Sequence, residues 1–176
     1  CADSIKFLFF GGSYSLGQLL PMRFKPSDLL DTSTVPLLLK PQDNRVAFTE
    51  GSLAQLRAWE HEGRGDFVKA AEEALDECRR SYAPYSGCPA GAAIVADEGV
   101  YAGGYIESAA YNPSMLPLQS AIIDAVIDGM PCYSNVKAAV LVELEGGAVR
   151  HHEAMGVVLS AIAPQAAFHT LTVERM

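Results

Sequence analysis

The chain has 176 residues, which is enough for one domain with a real core, or for one domain and part of another. Hydrophobic residues make up 49% and charged residues 19% of the sequence, which is typical of globular proteins and excludes a disordered chain. The net charge of -8 argues against a nucleic-acid partner, because phosphate binding needs clustered Lys and Arg. No apolar run has the length of a membrane span, and the first residues do not have the pattern of a signal peptide, so no membrane partner is expected.

The four cysteines, Cys1, Cys78, Cys88 and Cys132, lie far apart and form no CxxC pair. This spacing favours reduced thiols over disulfides, and therefore a cytoplasmic protein. The chain opens on Cys1 without a Met and enters a strand-like run at Ile5. We interpret this opening as the later part of a longer polypeptide.

The first fifty residues predict short elements and a linker. The apolar run 5–10, closed by two glycines, predicts a buried strand. One or two helical turns follow and are stopped by Pro21. Over 31–51 Pro, Asp and Asn recur without a lasting period, which predicts a linker with one short strand.

Two helices are predicted after the linker. Ser52 and Gln55 have the spacing of a capping box, and the helix that they begin should end near Gly63. The second helix, over 66–82, has an apolar face opposite a charged face. Pro84 ends it, because the residue before a proline is disfavoured in the helical region.

The rest of the chain alternates strands and helices. Residues 91–96 and 99–104 predict a hairpin. A helix is predicted over 117–128, with a proline in its first turn and a glycine after its end. The pattern then predicts a strand over 136–143, a helix over 150–162 and a strand over 168–173. Strands separated by helices indicate an α/β fold, with three layers and a mixed sheet covered on both faces.

Three stretches together resemble one family: RRSYAPYSGCPAGAAI, GGYIESAAYNPSMLPLQSAII and LLPMRFKPSDLL. They are similar to cytidine deaminases of the two-domain, homodimeric bacterial and plant type, and the resemblance covers nearly the whole chain. It implies the three-layer α/β/α cytidine-deaminase-like fold. It also implies that residues 1–30 are the closing strand and tail of a catalytic domain, that 31–51 are a linker, and that 52–176 are a degenerate C-terminal deaminase-like domain.

The family's catalytic domain holds zinc at the starts of two helices. It places His or Cys, then Ala and Glu, at the first helix, and Pro-Cys-x-x-Cys at the second. Here Pro117 stands at the ligand position and Gln119 at the Glu position, and no cysteine follows Cys132. The resemblance therefore implies no catalytic residue and no metal ligand in this chain. Zinc and the proton-carrying Glu would belong to an N-terminal catalytic portion.

The resemblance assigns three residues to a substrate pocket. Phe24 lies in LLPMRFKPSDL, a tail motif whose Phe packs against the pyrimidine in the family, although Lys25 replaces a Gly there. Stacking of a base on an aromatic side chain is worth about 1–3 kcal/mol. Ala110 and Tyr111, in ESAAYNP, match a segment that closes over the pocket of a partner subunit. The competing interpretations are a core Phe and packing within one domain.

Other polar residues are assigned to structure. Glu107 matches a ribose-binding position of the family, but Tyr105 replaces its partner Asn, so bonds from backbone donors in the turn before Pro113 are expected instead. Adjacent His151 and His152 point about 100° apart on a helix, which favours a solvated helix start over a metal site. No catalytic or metal role is expected for three further residues, His61, Cys88 and His169.

Three hypotheses about function follow. The first is the C-terminal portion of a zinc-dependent cytidine or deoxycytidine deaminase, a hydrolase of pyrimidine salvage. It would act with the N-terminal catalytic portion, a homodimer partner and a small-molecule nucleoside. The second is a non-catalytic scaffold or regulatory subunit that retains the deaminase fold. The third, a nucleoside-binding module, is weaker because most ligand-contacting positions are replaced.

Overall fold

Two compact units make up the chain, Cys1–Leu37 and Leu38–Met176. The computed structural model describes residues 5–110 and 112–176 of them. Tyr111, one of the three predicted pocket residues, therefore lies outside the described residues. Within the described ranges, no helix combines the length and the hydropathy that a membrane span requires.

The first unit is a small β-hairpin followed by a helical turn. Strands β1 (Lys6–Phe9) and β2 (Gly12–Ser15) pair antiparallel, and α1 (Leu16–Leu19) follows them directly. The strand predicted over 5–10 is confirmed, but its predicted burial is wrong, because Leu8 is 82% exposed. A two-stranded hairpin has no second layer within its own unit that could cover its faces.

The second unit contains a five-stranded sheet and four helices. The sheet order is β3-β7-β6-β4-β5, in which β6 and β7 are parallel and the other pairs are antiparallel. The elements are, in chain order, β3 (Val46–Phe48), α2 (Glu50–His61), α3 (Gly65–Arg80), β4 (Ala90–Ala96), β5 (Val100–Gly104), α4 (Pro117–Ile127), β6 (Val136–Leu144), α5 (His152–Ile162) and β7 (Ala167–Arg175). The predicted mixed sheet is confirmed.

Helix α2 begins two residues before its predicted start. Thr49 is the N-cap, and its hydroxyl accepts a hydrogen bond from the backbone N–H of Ser52 at 3.4 Å. The capping box expected at Ser52 is wrong, because the hydroxyl of Ser52 donates instead to the carbonyl oxygen of Thr172 in β7, at 2.9 Å. The contact ties the first turn of the helix to the neighbouring strand.

Helices cover both faces of the sheet. Helices α2 and α3 share one buried cluster with the sheet, built around Trp59, Leu75 and Val140. Helices α4 and α5 share the cluster on the opposite face, in which Leu118 and Met155 are buried. The predicted three-layer α/β/α fold is confirmed.

A glycine allows the sheet to approach each helical layer closely. A Cβ atom at Gly91 of β4 would overlap the backbone of α3 at Ala74 and Cys78. A Cβ atom at Gly103 of β5 would overlap α4 at Ser120 and the backbone of Ala121. These contacts bring α3 and α4 to the two sides of the β4–β5 hairpin.

Candidate functional site

The start of α4 is stabilised by its own side chains. Pro117 occupies the first helical turn and is buried, and Leu118 lies in the core. The side-chain oxygen of Gln119 accepts a hydrogen bond from the backbone N–H of Leu116 at 2.9 Å. Gln119 thus satisfies one of the donors that a helix start leaves unpaired, and it has a structural task at this position.

The start of α5 is buried rather than solvated. His151 is the N-cap residue and is only 2% exposed, so the solvated start predicted for it is wrong, while the neighbouring His152 is exposed as expected. The backbone N–H of His151 donates to the carboxylate of Glu143 in β6 at 2.7 Å, and Arg150 donates to the same carboxylate at 3.3 Å. The buried carboxylate of Glu143 draws the helix start onto the sheet.

The rings of His151 and Tyr105 pack against each other inside this end of the sheet. Their centroids lie 4.4 Å apart at an interplanar angle of 56°, and Tyr105 is fully buried. Burial lowers the pKa of His151 below its ordinary value, against the opposing effect of the carboxylates of Glu143 and Glu107. The imidazole is therefore held neutral, and its buried Nε2 has no hydrogen-bond partner among the described residues.

Glu107 fixes a turn of the chain. Its buried carboxylate accepts hydrogen bonds from the backbone N–H groups of Tyr85 at 2.8 Å and Ser86 at 3.0 Å. The expected donors were those of the turn before Pro113, and the structure places the donors in the turn after Pro84 instead. Both donors bind the same oxygen, Oε2, and this pair of backbone bonds is what a structural anchor of the turn requires.

The helix starts do not fit a zinc ion. A zinc site in proteins needs three or four ligands drawn from Cys, His and carboxylates around one point. Among the described residues, no group of three such side chains could hold a metal ion. The thiol of Cys88 lies near the start of α5, where its Sγ accepts a hydrogen bond from the backbone N–H of Val149 at 3.5 Å. We derive no metal chemistry from these residues, and that this chain alone binds no zinc stays a prediction.

The segment that contains Ala110 is a loop pinched at its base. Ile106 and Met115 exchange two backbone hydrogen bonds, of 3.1 and 2.9 Å. One step further along, the backbone N–H of Ser108 donates to the hydroxyl of Ser114 at 2.9 Å. Ala110 lies in the outer part of this loop and is exposed. The loop is thus held at its base while Ala110 remains available for contact.

Phe24 belongs to the first unit and is 70% exposed. A short 3-10 turn, Pro26–Asp28, follows it, and the backbone N–H of Lys25 donates to the carboxylate of Asp28 at 2.6 Å. This bond fixes the loop at the position where the family has a Gly. The interpretation of Phe24 as a core residue of this chain is wrong, whereas its contact with substrate stays a prediction.

Sequence reasoning missed the cluster of Tyr105, Glu143 and His151. One signal was available, since Glu143 is a charged residue that directly follows the apolar run 138–142 of β6. A buried carboxylate needs donors, which was a reason to search for them at the next helix start. The pairing of the two rings had no sequence signal, because they come from different elements 46 residues apart.

Comparison with known proteins identifies the family. Residues 16–155 match the family model described as "Cytidine and deoxycytidylate deaminase zinc-binding region". The chain belongs to this deaminase family. Cytidine deaminase 1 of Arabidopsis thaliana is 40% identical over 169 residues, which are 95% of this chain and 54% of the relative. The chain thus spans about half the length of this curated relative.

Two further comparisons bear on function and fold within the deaminase family. Arabidopsis thaliana also has a "Probable inactive cytidine deaminase 4", 36% identical over 148 residues, or 83% of this chain and 57% of the relative. The crystal structure of a cytidine deaminase from Burkholderia pseudomallei aligns with a TM-score of 0.50 and 25% identity, over 59% of this chain and 82% of that chain. The second comparison agrees with the three-layer fold described above.

Proposed function

We propose that this chain is the C-terminal portion of a zinc-dependent cytidine or deoxycytidine deaminase. The reaction is the hydrolysis of the nucleoside's amino group to give uridine or deoxyuridine and ammonia. One combination of findings carries the proposal. The chain belongs to the deaminase family and spans about half the length of its relatives, and the starts of α4 and α5 do not fit a zinc ion. An N-terminal catalytic portion would supply the metal and the proton-carrying Glu.

The first unit supports the need for a catalytic portion. Its hairpin and tail expose large apolar side chains that a self-sufficient domain would bury, among them Leu8, Phe9, Phe10, Met22 and Phe24. Under the proposal, residues 1–30 complete the sheet of the catalytic portion and 52–176 form the degenerate domain. Residues 31–51 connect the two, and β3 within them adds an edge strand to the sheet of the degenerate domain. The β1–β2 hairpin offers free strand edges on which such pairing can take place.

In this arrangement the chain contributes residues to the substrate pocket but no catalytic residue. Phe24 stacks on the pyrimidine, while Ala110 and Tyr111 close over the pocket of a homodimer partner. The pinched base of the Ala110 loop supports such a role, since a loop ordered before binding loses less entropy when it closes. The cytoplasm fits the free thiols of Cys78, Cys88 and Cys132, and the net charge of -8 fits a nucleoside better than a nucleic acid.

Reconstitution tests the proposal. The chain is co-expressed with the N-terminal half of the 40% identical Arabidopsis relative, and cytidine turnover is measured per bound zinc. We expect turnover only with both portions, and Phe24→Ala should lower kcat/KM roughly 5- to 150-fold, the equivalent of about 1–3 kcal/mol. Phe10→Ala removes a more exposed aromatic of the same unit, 116% against 70% for Phe24, and is the control.

One result would contradict the proposal, and a second would contradict only the role of Phe24. Stoichiometric zinc in the purified chain alone would overturn the interpretation of the helix starts. If Phe24→Ala and Phe10→Ala have the same kcat/KM, Phe24 does not contact the substrate, but the assignment of the chain to the enzyme stands.

The second candidate is a non-catalytic scaffold or regulatory subunit that retains the fold. It is favoured by the relative named probable inactive, which matches 83% of this chain. If the two portions co-purify and the complex binds zinc but turns over no cytidine, the scaffold becomes the better proposal.

A further inference from the structure

The loop that carries Ala110 leaves the domain between two fixed points. Before it, Glu107 is buried, and its backbone N–H donates to the carbonyl oxygen of Tyr82 at 2.7 Å. After it, α4 begins at the buried Pro117. The described residues at the tip of the loop are all exposed: Ala109, Ala110, Asn112 and Pro113. The conformational freedom of this segment is therefore confined to residues 108–114.

A proline prevents the base of this loop from continuing as a pair of strands. Ile106 and Met115 form an antiparallel pair that exchanges both backbone hydrogen bonds. In such a ladder the next hydrogen-bonded pair lies two residues further along each strand, and here it would join Ser108 to Pro113. Because Pro113 has no backbone N–H, this pair cannot form both of its bonds.

The hydroxyl of Ser114 provides the bond that the backbone ladder does not. It accepts the backbone N–H of Ser108 at 2.9 Å. The hydroxyl of Ser108 in turn accepts the backbone N–H of Ala110 at 3.4 Å, and the carbonyl oxygen of Ala110 accepts the N–H of Asn112 at 2.7 Å. A series of three hydrogen bonds thus leads from Ser114 to both backbone groups of Ala110. The bond to Ser114 is the shorter of the two that involve a side chain.

We propose that Ser114 is a positioning residue of the deaminase, whose hydroxyl holds the loop in the conformation in which Ala110 contacts the substrate pocket. The inference rests on the proposed function, because that function assigns Ala110 to the pocket. Ser114 acts through the loop and not through a contact with substrate. It sets the fraction of molecules whose loop is ready to bind, and the apparent affinity for a ligand falls in proportion to that fraction.

The size of the effect follows from the loss of one hydrogen bond. Such a loss changes an equilibrium by roughly 2- to 12-fold. Ser114→Ala should therefore raise the KM for cytidine by about this factor. The kcat should stay the same, because the loop contributes binding that ground state and transition state share and contributes no catalytic group.

Steady-state kinetics of the reconstituted complex test the inference. Ser114→Ala should raise KM at constant kcat, and Ser114→Thr, which keeps a hydroxyl, should retain the wild-type KM. Ser120→Ala is the matched control. The hydroxyl of Ser120 donates to the carbonyl oxygen of Gly104 at 2.9 Å, away from the loop, so its removal should lower the thermal midpoint without a change in KM.

Hydrogen exchange of the chain alone gives a second readout that needs no catalytic portion. The amide of Ser108 should exchange faster in Ser114→Ala than in the wild-type chain, because its acceptor has been removed. Ser120→Ala should leave the exchange of this amide unchanged.

Three results would overturn the inference. Ser114→Ala could leave KM at the wild-type value. Ser120→Ala could raise KM as much as Ser114→Ala does, which would mean that any loosening of the domain has this effect. The Ser108 amide could exchange equally fast in Ser114→Ala and in the wild type. A wild-type complex without turnover would overturn the proposed function and this inference with it, whereas turnover with an unchanged KM would overturn the inference alone.

Discussion

The two helical layers pack against the sheet in similar ways, but they differ in the side chains on their outer faces. Towards the sheet, each is approached at one glycine and lies beside one buried or half-buried histidine: His169 of β7 packs against α2, and His151 lies at the start of α5. Away from the sheet, α3 carries acidic and basic residues with ion pairs such as Arg80–Asp76, whereas α4 exposes isoleucine and valine beside the aspartates Asp124 and Asp128. A layer that faces water needs charge on its outer side, and one that faces protein does not.

The largest expected effect tests the shared inner side. Gly91→Ala and Gly103→Ala should each destabilise the fold by about 3 kcal/mol or more, because the added methyl group meets backbone or Cβ atoms of a packed helix. Urea unfolding followed by circular dichroism measures both. Gly65→Ala has open space around its Cβ position and is the control. If one glycine tolerates alanine and the other does not, the two layers are not packed equally closely.

A smaller effect is expected inside the α4–α5 layer. Tyr105→Ala and His151→Ala should each be destabilising, and the double variant should be less destabilised than their sum, by about 0.5–1.5 kcal/mol. The reason is that the ring contact can be lost only once. A double-mutant cycle in urea measures this coupling. Strict additivity would mean that the two rings stabilise the layer independently.

The smallest effect concerns pH and compares the two histidines. Burial lowers the folded-state pKa of both His151 and His169 below the ordinary value of 6.5, and Arg64 adds to the lowering at His169. The unfolded chain therefore binds more protons, and the free energy of unfolding should fall as pH falls from about 6.5 through the folded-state pKa values. His151→Gln and His169→Gln should each flatten that slope. A slope that neither variant changes would assign the pH dependence to other groups.

Most of the fold could be predicted from periodicity and turn residues. Strands β4 to β7 and helices α3 and α4 lie within two residues of their predicted bounds, because their patterns are local. The start of α2 differs from the prediction because the hydroxyl of Ser52 donates a hydrogen bond to the carbonyl oxygen of Thr172, more than a hundred residues later in the sequence. The burial of β1 was predicted wrongly because an apolar run does not reveal whether a second layer is present.

Less of the site could be predicted. Gln119 was identified as a residue without acid–base capacity, but its hydrogen bond to the N–H of Leu116 depends on helix geometry. His151 was predicted to be solvated because the sequence shows its neighbours His152 and Glu153 and not its contacts, which come from β6 and from the residue after β5. Long-range polar contacts of this kind carry no local signal.

The exposed hairpin of the first unit has a consequence for any cell that makes this chain. The stretch Ile5–Phe10 contains one charge and no proline, and it presents free backbone groups along both outer edges of a two-stranded sheet. Short segments of this composition add strands from further copies and grow into fibrils when nothing covers them. Strand addition at these edges is therefore a route to aggregation, and a partner that pairs with the hairpin would block it.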